Sequence, residues 1–327
     1  MNKLFIVLLT GLTATAAYAA HDGVHVGGFV DAQYHQTTKP YMTEGFNVYD
    51  GAAYLSKELG SGRVFVDLPF NSQRADNTST STAGANFSFA QTKAQAYVEQ
   101  KYASSLSWRL GQFDTIYGYE ALDSNERFFA RTGAIINYVT PDEHAGILMG
   151  YDLAPAANFQ VLVANAADQG ALRQKEIEYG GKLNLKYKKL GFAFGYLVMR
   201  SGSKSVPLAD FVVDAKLGDF TLALDYNYKK PAPGIKEGHG VEAYVTHRCT
   251  DKMSMGARFG YVMDIQQDSF NGQYDTKQME ATAGLNYKLT ADLTSRFNYS
   301  YDSNTPSTIG TDGTKTHSGV VSAVYQF

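Results

Sequence analysis

The chain has 327 residues, 19% of them charged, and a formal net charge of −3, so its balance carries neither a basic nucleic-acid-binding patch nor an acidic tail. A lone cysteine, Cys249, excludes an internal disulfide framework. With 23 Tyr and 19 Phe against one Trp, and 31 Gly against 8 Pro, the composition favours strands joined by tight turns over helices.

The opening segment, MNKLFIVLLTGLTATAAYAA, carries Lys3, an apolar run from Leu4 to Leu9 and the small-x-small triplet Ala17-Tyr18-Ala19. That pattern predicts a secretory signal over 1–19, with the mature domain over 20–327. No later stretch approaches the about eighteen continuous apolar residues of a transmembrane helix. Instead, period-2 alternation predicts strands at 24–35, 46–59, 62–70, 89–102, 105–113, 144–153, 158–165, 176–188, 190–200, 209–217, 219–229, 239–249, 252–264, 275–287, 292–303 and 317–327. Leu183, Leu185 and Tyr187 alternate with Lys182, Asn184 and Lys186; Met279, Ala281, Ala283 and Leu285 face away from Glu280, Thr282 and Asn286. Segments of about ten residues with this period suit tilted strands crossing a bilayer.

The gaps alternate in length. Short turns fall at Gly60-Ser61, Ala103-Ser104, Lys189, Gly218-Asp219 and Thr250-Asp251, and longer polar segments at 71–88, 114–143, 165–175, 230–238, 265–274 and 304–316. The expected fold is therefore all-β: a transmembrane antiparallel up-and-down β-barrel of about 16 strands, with short periplasmic turns and long extracellular loops. Its last strand, VVSAVYQF, places Val321, Ala323, Tyr325 and Phe327 on one face and must pair with the first strand near Val24. Tyr187, Tyr287, Tyr325 and Phe327 would form the inner aromatic belt, and Tyr226, Tyr228, Tyr299 and Tyr301 the outer one.

Two stretches carry a resemblance. VVSAVYQF resembles the C-terminal strand of Gram-negative outer-membrane proteins, which implies that Tyr325 and Phe327 act as a signal to the barrel-assembly machinery. WRLGQFDTIYGYEALDSNERFFAR with PDEHAGILMGYDL resembles the OmpL-like β-barrel porin-2 family, through Leu110, Gly111, Phe113, Gly118, Tyr119 and Glu120 and then Pro141, His144 and Gly146. That resemblance implies an outer-membrane channel without implying its cargo.

With the apolar face toward lipid, the other face lines the bore: Asp31, Arg63, Asp67, Arg109, Lys182, Lys186, Asp225, Arg258, Glu280 and Arg296 among others. Signs this balanced suit passive diffusion of small hydrophilic solutes or ions. Gly191, Ala193, Gly195, Ser254, Gly256 and Thr282 would leave space in that bore. The longest connection, 114–143, holds Tyr117, Tyr119, Phe128, Phe129, Ile135 and Ile136, which want burial; it is expected to fold inward and narrow the pore with Glu120, Asp123, Glu126, Arg127 and Arg131. Ser124 lacks a neighbouring His, and the histidines show no ligand spacing, so neither catalysis nor a metal or cofactor is expected. Expected partners are the outer-membrane bilayer, the assembly machinery and small solutes, without nucleic acid; a homotrimer suits porins of this size. The alternative is a structural or adhesive surface barrel with a closed bore.

Overall fold

The computed structural model of the protein describes residues 23–38, 44–73, 86–89, 94–102, 105–165, 176–201, 204–230, 237–263, 277–305 and 314–327. The leader expected over 1–19 and the turn at Ala103-Ser104 lie outside the described residues, as do most of the connections expected at 71–88, 165–175, 230–238, 265–274 and 304–316. Strands β1 (Val24–Thr37), β2 (Gly45–Leu59), β3 (Gly62–Gln73), β4 (Asn86–Phe89), β5 (Gln95–Lys101) and β6 (Leu106–Asp114) precede a short helix, α1 (Ala134–Tyr138). There follow β7 (Glu143–Ala154), β8 (Ala157–Asn165), β9 (Ile177–Tyr187), β10 (Leu190–Ser201), β11 (Lys204–Leu217), β12 (Phe220–Lys229), β13 (Gly238–Arg248), β14 (Met253–Met263), β15 (Lys277–Lys288), β16 (Leu293–Thr305) and β17 (Thr314–Gln326).

All strands but β4 form one closed antiparallel barrel in chain order, a 16-stranded ring; β4 pairs with the loop end of β3. The seam runs from Phe29↔Gln326 to Thr37↔Ser318. Beyond it the terminal residue is clasped: Phe327 N–H donates to Gly28 O and Gly28 N–H to Phe327 O, each at 3.0 Å. No strand of the ring therefore presents an unpaired edge.

Alternation sorts the side chains. Leu55, Val98, Leu110, Met149, Phe194, Leu222, Phe259, Phe297 and Val321 are exposed on the outer face. Asp31, Asp67, Glu178, Asp225, Glu242, Arg258 and Arg296 are buried on the inner one. So much exposed apolar area in a continuous band fits a hydrocarbon solvent. Tyr187, Tyr287 and Phe327 are exposed near the short-turn end, and Tyr226 and Tyr299 near the loop end.

Several strand boundaries differ from the sequence expectation, two of them by five residues or more. The strand expected from 89 starts at Gln95, because Asn86–Phe89 pairs separately as β4. β11 starts at Lys204, not 209, and runs through Pro207, which sits opposite Val198. Helix α1 falls where only a loop was expected.

At the short-turn end, two-residue turns at Gly60-Ser61, Lys188-Lys189 and Gly218-Asp219 join adjacent strands. The first residue of each has positive φ: +65° at Gly60 and Gly218, but +56° at Lys188, which carries a Cβ. A side chain in this region costs on the order of 1 kcal/mol. Lys188→Gly should therefore raise the urea midpoint of the refolded barrel, and Gly218→Ala should lower it, both read by gel-shift unfolding.

Candidate functional site

Between β6 and β7 the chain leaves the wall for residues 115–142 and crosses the barrel interior. Inside a barrel its backbone groups need partners as strictly as those of the strands. Wall side chains supply them. Asp225 accepts the N–H of Tyr119 at 2.9 Å, Asn298 that of Ala130 at 2.7 Å, and Glu242 that of Ala134 at 3.0 Å. Asn286 donates to Phe128 O at 2.9 Å, and Lys182 to the carbonyls of Ile116 and Gly118.

Two arginines do most of this anchoring. Arg296 donates to Ser124 O at 2.7 Å and Arg127 O at 3.3 Å, while its other arm reaches Asp31 at 3.0 Å and Ser322 at 3.2 Å. Arg258 binds Glu120 of the segment at 2.7 Å and the carbonyls of Arg131 and Thr132 at 3.0 and 3.2 Å. It also pairs with Glu280 and, at 3.4 Å, with Glu242. Glu120 in turn accepts Gly133 N–H at 2.6 Å, so Glu120 and Glu242 together take the first amides of α1.

Apolar packing follows the same track. The Tyr117 ring lies against Gly195 and its hydroxyl reaches Tyr196 O at 3.2 Å. Phe128 lies against Gly256, Phe129 against Gly284, and Ile135 and Val139 against Gly240. This corrects the expectation that Gly195 and Gly256 leave open space. They are small because loop side chains occupy the volume, and a Cβ at either would meet an aromatic ring within 3 Å. Inward Leu148, Leu162, Leu197 and Leu208 complete an apolar cluster with Phe113, Tyr117 and Ile135, which the charged alternation concealed.

The ten expected wall residues all fall on the inward face but divide in use. Asp31, Lys182, Asp225, Arg258, Glu280 and Arg296 are buried beneath the segment or paired with residues that hold it, and Asp67 is buried near Asp50, Gln95 and Asp123 of the segment. Lys186 is exposed by the short turns. Arg63 and Arg109 keep their hydrogen bonds within the wall: Arg63 to Tyr97 OH at 3.0 Å, and Arg109 to Glu99 at 2.6 Å with both side chains about a quarter exposed. Both guanidinium groups rest on the Tyr97 ring, Arg109 at 4.3 Å from its centroid. An inward ladder of rings, Phe29, Tyr54, Phe65 and Tyr97, runs beside them with centroids 5.1–6.0 Å apart; its spacing was hidden because each member sits on a different strand.

Of the five segment residues, Glu120 and Arg127 are buried, and Arg131 meets His35 at 2.9 Å. Asp123 accepts from Tyr54 OH at 2.8 Å; burial pushes its carboxyl up, against that hydrogen bond. Glu126 is exposed and lines a cavity of about 440 Å³ at the short-turn mouth, with Arg248, Lys252 and Lys288. Ser124 sits by Asp50 and Arg296, whereas His144 lies by Thr115 and Tyr117, so nothing joins the two as nucleophile and base. Among the described residues no three His, Cys, Asp or Glu side chains are placed to hold a metal.

Comparison with known proteins places this architecture. The family model "Putative beta-barrel porin-2, OmpL-like" matches residues 23–327. No curated protein matches the sequence. Among solved structures the fold is similar to OmpF of Salmonella typhi in complex with daunomycin (12% identity, TM-score 0.65, covering 93% of this chain and 97% of that one). It is also similar to the outer membrane channel DcaP of Acinetobacter baumannii (12%, 0.63, 93% and 97%). A third is the loop-L8 deletion of OmpT, an outer membrane protein of Vibrio cholerae (13%, 0.63, 93% and 99%).

Replacing Arg258 with Met would leave Glu120, Glu242 and Glu280 buried without their cation, a loss of about 3–5 kcal/mol. Hydrogen exchange over peptides from 115–137 should accelerate in Arg258→Met while the β1–β17 seam stays protected. Unchanged exchange would show that the arginine does not hold the segment.

Proposed function

The chain belongs to the OmpL-like β-barrel porin-2 family, and from that premise we propose that small hydrophilic solutes cross it passively, along the part of the bore that segment 115–142 leaves beside β3, β5 and β6. The protein is a porin-like channel of the outer membrane of a Gram-negative bacterium. The reading rests on how the inward charges divide. Lys182, Arg258 and Arg296 are committed to the segment, whereas the bonds described for Arg63, Glu99 and Arg109 run to the wall, and all three keep part of their surface for solvent. Solutes would pass this guanidinium pair on its aromatic platform, with Asp123 and Glu126 contributing the segment's acidic side. Glu120, Arg127 and Arg131 would act as holders of the constriction.

The density of bonds between segment and wall favours one second reading, a barrel shut at rest that acts through its outer loops. Single-channel recording of the refolded chain in a planar bilayer separates the two: discrete ohmic steps support the channel, and a folded, heat-modifiable barrel without steps supports the closed one.

Deleting 118–131 should enlarge the conductance step; an unchanged step would remove the constriction. Arg63→Glu with Arg109→Glu should move the reversal potential toward cation selectivity, because two positive charges leave the passage and two negative ones enter it. Assembly as a homotrimer belongs to the same proposal, and a monomeric mass in mild detergent would discard it.

A further inference from the structure

The outer face is not uniformly bulky. On β13 to β16 two cross-strand rows face the lipid, Ala243–Phe259–Ala281–Tyr301 and, one step nearer the short turns, Val245–Ala257–Ala283–Tyr299. Ala257, Ala281 and Ala283 in the middle of these rows, with Ala243 at the end of the first, open a groove of about 540 Å³ that Phe259 also lines, walled on one side by Tyr299 and Tyr301. Comparable outward positions on β10 and β12 carry Phe194, Tyr196, Leu222 and Leu224.

A groove of this kind at membrane depth excludes water and, left empty, would forfeit its dispersion contacts. Something apolar and slender fills it. Its loop end is cationic. Lys277 shares the outward face of β15 with Ala281 and Ala283, and Lys315 shares that of β17 with His317; all three are exposed. His317 lies opposite Tyr301, and its Nδ1 is 2.6 Å from the Tyr299 hydroxyl. The carboxylate of Glu237, on the far side of the groove, is engaged by His239 at 3.0 Å.

We propose that this groove is a site for a phosphorylated lipid of the outer leaflet, with one acyl chain along Ala243, Ala257, Ala281 and Ala283 and a phosphate on Lys277, Lys315 and His317. The inference rests on the outer-membrane placement and not on conduction through the bore. Apolar depth and a cationic rim at the headgroup level are the two halves of such a molecule, and tyrosines at that level suit the interface between them.

Native mass spectrometry of the refolded full chain in detergent, titrated with diphosphoryl lipid A, tests this. One lipid should stay bound per chain. Lys277→Ala and Lys315→Ala should each weaken retention about fivefold, and together about 25-fold. Ala257→Leu with Ala281→Leu should weaken it without touching a charge, and a fully dephosphorylated probe should bind the wild type as poorly as diphosphoryl lipid A binds the double-lysine variant. Heat-modifiable gel migration confirms that each variant is folded. Equal retention across all variants overturns the proposal. So does unchanged lipid binding with loss of oligomer in the leucine variant, which would make the groove a contact between copies.

Discussion

Everything in this molecule follows from one requirement: in a hydrocarbon solvent each backbone N–H and C=O must find a partner within the protein. Strands meet it by closing on themselves, which is why the ring is continuous from β1 to β17 and why the last residue is bonded in both directions to Gly28. The same rule governs the interior. A 28-residue excursion through the bore cannot rely on bulk water along its length, so the wall answers it amide by amide, acids accepting N–H groups and cations donating to carbonyls.

That answer explains why so many charges are buried without an ionic purpose of their own. Arg296 touches one carboxylate but several carbonyls, and Arg258 binds two carbonyls besides its carboxylates. Buried charges of this kind specify an arrangement more than they stabilise it, since their desolvation offsets most of their attraction. Here the arrangement specified is the path of segment 115–142. Once that path is set, Arg63, Glu99 and Arg109 stay partly open to solvent beside it, which is why the proposed passage runs past them.

The strands were legible because a two-faced solvent imposes a two-residue period, and that period survives in β9, β12 and β15 almost without interruption. It failed at the start of β11, expected at 209: the strand runs through Pro207, near its loop end, where the missing N–H does not break the pairing with Val198. It failed also at 86–95, where the expectation puts 86–88 in a loop and begins the next strand at 89, although β4 ends there and β5 starts at Gln95. Which wall charges hold the segment was not legible. Alternation tells which face a side chain takes, but the partners of Arg258 and Arg296 lie more than a hundred residues away on a segment that has no period. The glycines at 195 and 256 misled for the same reason: a missing side chain reads as space until the neighbour that fills it is known.

The clasp at Gly28 and Phe327 also has a kinetic meaning. Every other pairing in the ring joins strands that follow one another along the chain, β3 and β5 with only β4 between them; the seam joins the two ends of the strand order and bears the largest closure entropy of any strand pairing. Until it forms, the growing sheet carries two open edges with apolar faces. Folding of this chain is a race between that one encounter and association with another unfinished sheet.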